Sequence, residues 1–76
     1  MNKLKQELKK AFPNSFIKDA SEFYGDETPG LWTGFGEDGT YNYHENWTDP
    51  KLKAILAKHK AYIEPYDPGT IMIYPA

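Results

Sequence analysis

Leu4, Leu8, Ala11 and Phe12 recur at the spacing of one helical face, which predicts an amphipathic helix over residues 2–12. Asn2 suits its N-cap, and Lys9 and Lys10 favour the negative end of its dipole. Pro13 disfavours α conformation at Phe12 and stops the helix there. A second stripe of Leu52, Ile55, Leu56 and His59 predicts a helix over residues 50–60. Asp49 is its N-cap and Pro50 its first residue. Between the helices the period changes to two. Leu31, Thr33 and Phe35 share one face of a strand over 31–35, opposite Trp32 and Gly34. Tyr41, Tyr43 and Glu45 share a face of a second strand over 40–46, opposite Thr40, Asn42, His44 and Asn46. Gly36-Glu37-Asp38-Gly39, with glycine at both ends, predicts a tight reversal joining the two strands as a β-hairpin. Near the C-terminus Asp67-Pro68-Gly69 reads as a turn feeding a strand over 70–74, and Pro65 confines any strand before it to an edge. Residues 15–24 fit two patterns. Phe16, Ile17, Ala20, Phe23 and Tyr24 make a helical stripe, whereas Phe16 to Ala20 also reads as a strand.

The chain has 76 residues, enough for a single domain spanning 1–76 with a thin core. There is no cysteine, so disulfides, zinc thiolates and a cysteine nucleophile are excluded. The twelve aromatics are the expected source of stability, since each can bury about 150–250 Å2. No run approaches the roughly 20 apolar residues of a membrane span, and no signal-like segment follows Met1, so a cytoplasmic protein without membrane contact is expected.

Net charge is −2, but its distribution is uneven. Residues 1–18 carry five Lys against one Glu; residues 19–49 carry eight acids and no Lys or Arg; residues 50–76 carry four Lys against two acids. The central acidic stretch is also rich in aromatics. Clustered charge steers partners of opposite sign, and Trp and Tyr are enriched at interface hot spots. The candidate contact residues are therefore Asp26, Glu27, Trp32, Glu37, Asp38, Tyr41 and Tyr43. Asp49 is discounted because it serves as a helix cap. Aromatic platforms for nucleobases come with a basic groove, so direct nucleic-acid contact through this stretch is not expected. The lysine faces of the two helices carry the alternative, an accessory nucleic-acid-binding domain. His44 and Glu45 are adjacent on a strand and point to opposite faces, so they form no dyad. Asp38-Gly39-Thr40-Tyr41-Asn42 fails the ligand spacing of a calcium loop. No nucleotide-binding or hydrolase motif occurs, and no catalytic residue, metal or cofactor is expected.

Leu8-Lys9-Lys10-Ala11-Phe12-Pro13, followed by Phe16, and Trp47-Thr48-Asp49-Pro50 leading into a helix together resemble a small α/β domain of the large polyvalent protein-associated group. That domain occurs on phage and conjugative-element proteins. It has a helix ending in Phe-Pro and a strand running into Trp-Thr-Asp-Gly-Pro before a second helix. This chain lacks the Gly between Asp49 and Pro50 and inserts residues 26–38. The resemblance covers boundary signals only, so no site residue carries over. It favours the strand reading of 16–20. The expected fold is α+β: a small antiparallel sheet with strands about 16–20, 31–35, 40–46 and 70–74, packed against helices 2–12 and 50–60. The resemblance also implies a mobile-element origin and the cytoplasm of a bacterial host. Small acidic proteins of that origin include inhibitors of host machinery, anti-CRISPR proteins among them. The expected partner is a host protein with a basic surface, such as a nucleic-acid-binding defence complex, docked by the acidic aromatic hairpin.

Overall fold

A computed structural model describes residues 2–25 and 27–75. Nine elements follow in order: α1 (Asn2–Ala11), β1 (Ile17–Asp19), α2 (Ser21–Tyr24), β2 (Leu31–Thr33), β3 (Tyr41–Asn42), β4 (Trp47–Thr48), α3 (Pro50–Lys58), β5 (Ala61–Pro65) and β6 (Ile71–Pro75). The fold is a small α+β domain. Four antiparallel strands form a sheet in the order β1-β2-β6-β5, and β3 pairs with β4 as a separate two-stranded ribbon.

The two long helices, α1 and α3, lie together on one face of the sheet. Leu4 and Leu8 of α1 and Leu52, Ile55 and Leu56 of α3 meet Ile17, Leu31, Phe35, Ile71 and Ile73 in one core. Each fully buried aliphatic side chain contributes about 1.5–3 kcal/mol, so this layer carries most of the stability. α3 begins as its sequence dictates: the Asp49 carboxylate accepts from the backbone N–H of Lys51 (2.7 Å) and Leu52 (3.4 Å).

The segment 15–24 contains both elements that its pattern allows. Ile17 to Asp19 is a strand, because Ile17 reaches the core and pairs with Thr33. One turn of helix then follows from Ser21 to Tyr24 and ends at Gly25, whose φ is 112°.

The hairpin expected between 31–35 and 40–46 does not form. β2 pairs instead with β1 and β6. Phe35 is completely buried in the core, and the chain after Thr33 folds into successive turns in which Gly34 O accepts from the N–H of Glu37 and Asp38. Gly36 approaches the Pro68 carbonyl so closely that no Cβ fits there. The expected strand 40–46 is cut to two residues. Asn42 Oδ1 accepts from Glu45 N–H, and Asn46 takes a positive φ of 51°, turning the chain back so that β3 meets β4. A reversal thus exists in this region, one segment later than predicted. The sheet also gains a strand that the sequence left as a lead-in to a turn: β5 pairs with β6 over five residues and takes the edge position that Pro65 requires.

Candidate functional site

The sheet face turned away from the helices carries a layer of aromatic rings. Register places Lys18, Trp32, Met72 and Glu64 side by side across the four strands. Phe16, Tyr62, Tyr66 and Tyr74 share this face by alternation, and α2 adds Phe23 and Tyr24 from above. The rings form a chain of contacts. Trp32 lies 5.0 Å from Phe16 and 5.1 Å from Phe23 between centroids. Phe23 meets Tyr24 at 6.4 Å, and Tyr24 meets Tyr66 at 6.4 Å. Tyr62 and Tyr74 stack at 5.8 Å. Such pairs contribute about 0.5–1.5 kcal/mol each beyond their burial. Beneath them Met72 is only 3% exposed, though it lies outside the main core.

Two glycines make room for the layer. A Cβ on Gly30 falls 2.8 Å from the Tyr74 ring, and its φ of 98° already excludes most side chains. Gly34 stands beside Phe16. Burial pushes the Tyr74 phenol above its ordinary pKa, and the neighbouring Glu64 charge acts in the same direction.

Most of these rings are nevertheless half open to solvent. Phe16, Phe23, Tyr24, Tyr62 and Tyr66 are between 45% and 67% exposed, and they make up five of the seven exposed large hydrophobic side chains among the described residues. Carboxylates rim the layer. Glu22 accepts from Asp19 N–H and lies 3.8 Å from Lys18 Nζ. Glu27 and Tyr24 line one open groove of about 470 Å3, with Gly25, Thr28 and Pro29. Glu37, Asp38 and Phe16 line another of about 290 Å3, with Asn14 and Gly34. Lys18 stands on this side by register, and it is engaged: its Nζ lies 5.8 Å from the Phe16 ring centroid.

Four of the seven predicted contact residues therefore gather here: Trp32 in the layer, Glu27 at the Tyr24 groove, and Glu37 and Asp38 at the Phe16 groove. Asp38 is partly committed to local structure, since it accepts from Ser15 Oγ and from both the N–H and hydroxyl of Thr40. Asp26 lies outside the described residues. Tyr41 is withdrawn from the surface: it is 8% exposed and packed in the core, because the chain returns through it to pair with Thr48. Tyr43 is 47% exposed but belongs to the 43–46 turn, where its ring meets His44. The sequence reading missed Phe16, Phe23, Tyr24, Tyr62, Tyr66 and Tyr74. A signal was present in the two-residue spacing of Tyr62, Glu64 and Tyr66 and of Met72 and Tyr74, which marks one face of a terminal hairpin.

A second polar cluster joins the helices. Glu7 accepts from His59 Nε2 at 2.8 Å and from Lys58 Nζ at 3.2 Å. These two bonds, His59 first, hold the Glu7 carboxyl below its ordinary pKa. Neither serine belongs to this cluster: Ser15 bonds Asp38, and Ser21 starts α2. Among the described residues no three His, Asp or Glu side chains group as metal ligands, and no helix is long and apolar enough to cross a membrane. No protein-family model, curated protein or solved structure matches the chain.

Proposed function

We propose that this chain is a non-enzymatic protein-binding module that docks its acidic, aromatic sheet face on a basic surface of another protein. The observation that carries this reading is the concentration of half-exposed rings on one side of the molecule, rimmed by Glu22, Glu27, Glu37 and Glu64. Surfaces of this kind supply the rigid aromatic anchors of interfaces, while the surrounding charges set partner and approach. Nucleobase stacking is disfavoured here, because it calls for a basic groove, whereas carboxylates rim this face and its Lys18 is already paired with Glu22. A mobile-element inhibitor of a nucleic-acid-binding host complex, the expectation raised by the Phe-Pro and Trp-Thr-Asp-Pro boundaries, would use such a face to occupy a surface that otherwise meets phosphates.

The docking face moves relative to the sequence expectation, from the tip of a hairpin to the sheet. The test is quantitative capture of partners from a host lysate by wild type, by Phe23→Ser with Tyr66→Ser, and by Tyr43→Ser as a control. The aromatic pair is expected to weaken capture at least about tenfold, with the control unchanged and all three melting cooperatively. Equal capture by the aromatic pair would discard this face. Trp47→Phe leaves Trp32 as the sole indole. Its emission should shift to the blue when the captured partner is added, and an unmoved spectrum would count against docking over Trp32.

A further inference from the structure

The face opposite the aromatic layer has the opposite charge. Eight of the nine lysines lie on α1, on α3 or, for Lys60, just beyond α3. The acids of this layer are Glu7, held by His59 and Lys58, Asp19, paired with Lys5, and Asp49, used as the α3 cap. The two helices run in opposite directions. Glu7 at the middle of α1 meets the end of α3, and Phe12 beyond α1 lies under Lys51 at the start of α3, 5.8 Å from its Nζ. Glu7 marks the stripe of α1 that looks toward α3. Lys3 and Lys10 fall on that same stripe, one turn to either side. Lys51 and Lys58 flank the seam from α3. A row of lysines thus follows the groove between the helices, and Lys3, Lys10 and Lys51 have no carboxylate partner among the described residues.

We infer that this seam binds the phosphate backbone of a nucleic acid. Lys3 and Lys10 stand about 10 Å apart along the helix axis, the rise of roughly three nucleotides of one strand. The residues exposed between the lysines are Gln6, Ala54 and Ala57, which offer neither the aromatic anchors nor the apolar centre that a protein interface needs. Lysine is a mobile point charge, so recognition is of phosphate and not of base sequence. This inference does not depend on the aromatic face. The molecule becomes a two-sided adaptor when both hold, with one side for a basic protein and the other for the polyanion nearby.

Fluorescence anisotropy with a labelled duplex of about 20 base pairs tests it. Binding is expected at roughly 50 mM salt and should weaken about 40-fold by 200 mM if three phosphates are neutralised. Lys3→Gln with Lys10→Gln and Lys51→Gln should lower the salt slope by about 3, and Lys10→Gln alone by about 1. Lys18→Gln, on the other face, should change nothing. Glutamine keeps helix propensity, and circular dichroism verifies the fold of each variant. Polyglutamate and phosphatidylserine vesicles run in parallel. Absence of duplex binding at low salt, an unchanged salt slope in the lysine variants, or tighter binding to polyglutamate or vesicles than to duplex overturns the inference.

Discussion

Thr33 is a completely buried polar side chain in an otherwise apolar core. Its hydroxyl donates to the Ile71 carbonyl at 2.7 Å and accepts from the Phe35 N–H at 3.4 Å. One oxygen thereby ties β2 to β6 and holds the chain where it leaves the sheet. Thr33→Val keeps the shape but leaves an N–H without a partner and a carbonyl short of one. It is expected to cost about 1–2 kcal/mol, read as a lower urea midpoint with unchanged slope. An unchanged midpoint would show that both groups find other partners. The alternation of Leu31, Thr33 and Phe35 made this residue's inward position legible. The role of the neighbouring glycines was not. Gly36 and Gly39 read as the two ends of a hairpin turn. Gly36 is required because Pro68 from a distant loop approaches it, whereas Gly39 takes a φ of 89°. A sequence shows that a glycine is present; it does not show which distant segment leaves no room for a Cβ.

Among the elements, α1 and α3 are coupled through Glu7. The bonds from His59 and Lys58 depress its pKa in the folded state, while the unfolded chain titrates near 4.5. A depressed carboxyl contributes stability that is fully present above pH 4.5 and is lost as pH falls through the lower folded value. Urea titrations across the acid range should therefore show a flatter decline below that pH in Glu7→Gln than in wild type, together with lower stability near neutrality. Parallel curves would mean that the contact carries no linkage. Both helices were legible because stripes, caps and proline stops are local signals. Strand partners were not. β2 finds β6 about forty residues later, and nothing in Leu31-Trp32-Thr33 specifies that pairing over the nearer Tyr41 to Tyr43. β5 was obscured by Pro65, which removes a backbone donor yet costs nothing at an edge strand.

At the scale of the whole molecule, charge blocks along the chain become layers in space. The lysine blocks form the helical layer. From the central acidic block, Asp49 caps α3 and Asp19 pairs with Lys5 at 2.9 Å, while Glu22, Glu27, Glu37 and Asp38 rim the aromatic side. Glu27, Glu37, Asp38 and Trp32 were thus legible, and the rims at Glu22 and Glu64 and the other rings were not, since those rings come from the segments of β1, α2, β5 and β6 and meet only after the sheet closes. The same assembly gives Met72 a use as a clock. Thioether oxidation by peroxide requires access, and Met72 is 3% exposed on the sheet face that carries the rings. The rate of sulfoxide formation at Met72, followed by peptide mass spectrometry, should rise in Phe23→Ser with Tyr66→Ser, which removes two rings from that face. It should fall when a docked partner holds the rings down. An unchanged rate in that variant would mean that the sheet itself, and not the aromatic layer, shields the sulfur. A buried thioether would report, in minutes of peroxide exposure, how often the aromatic face opens by itself.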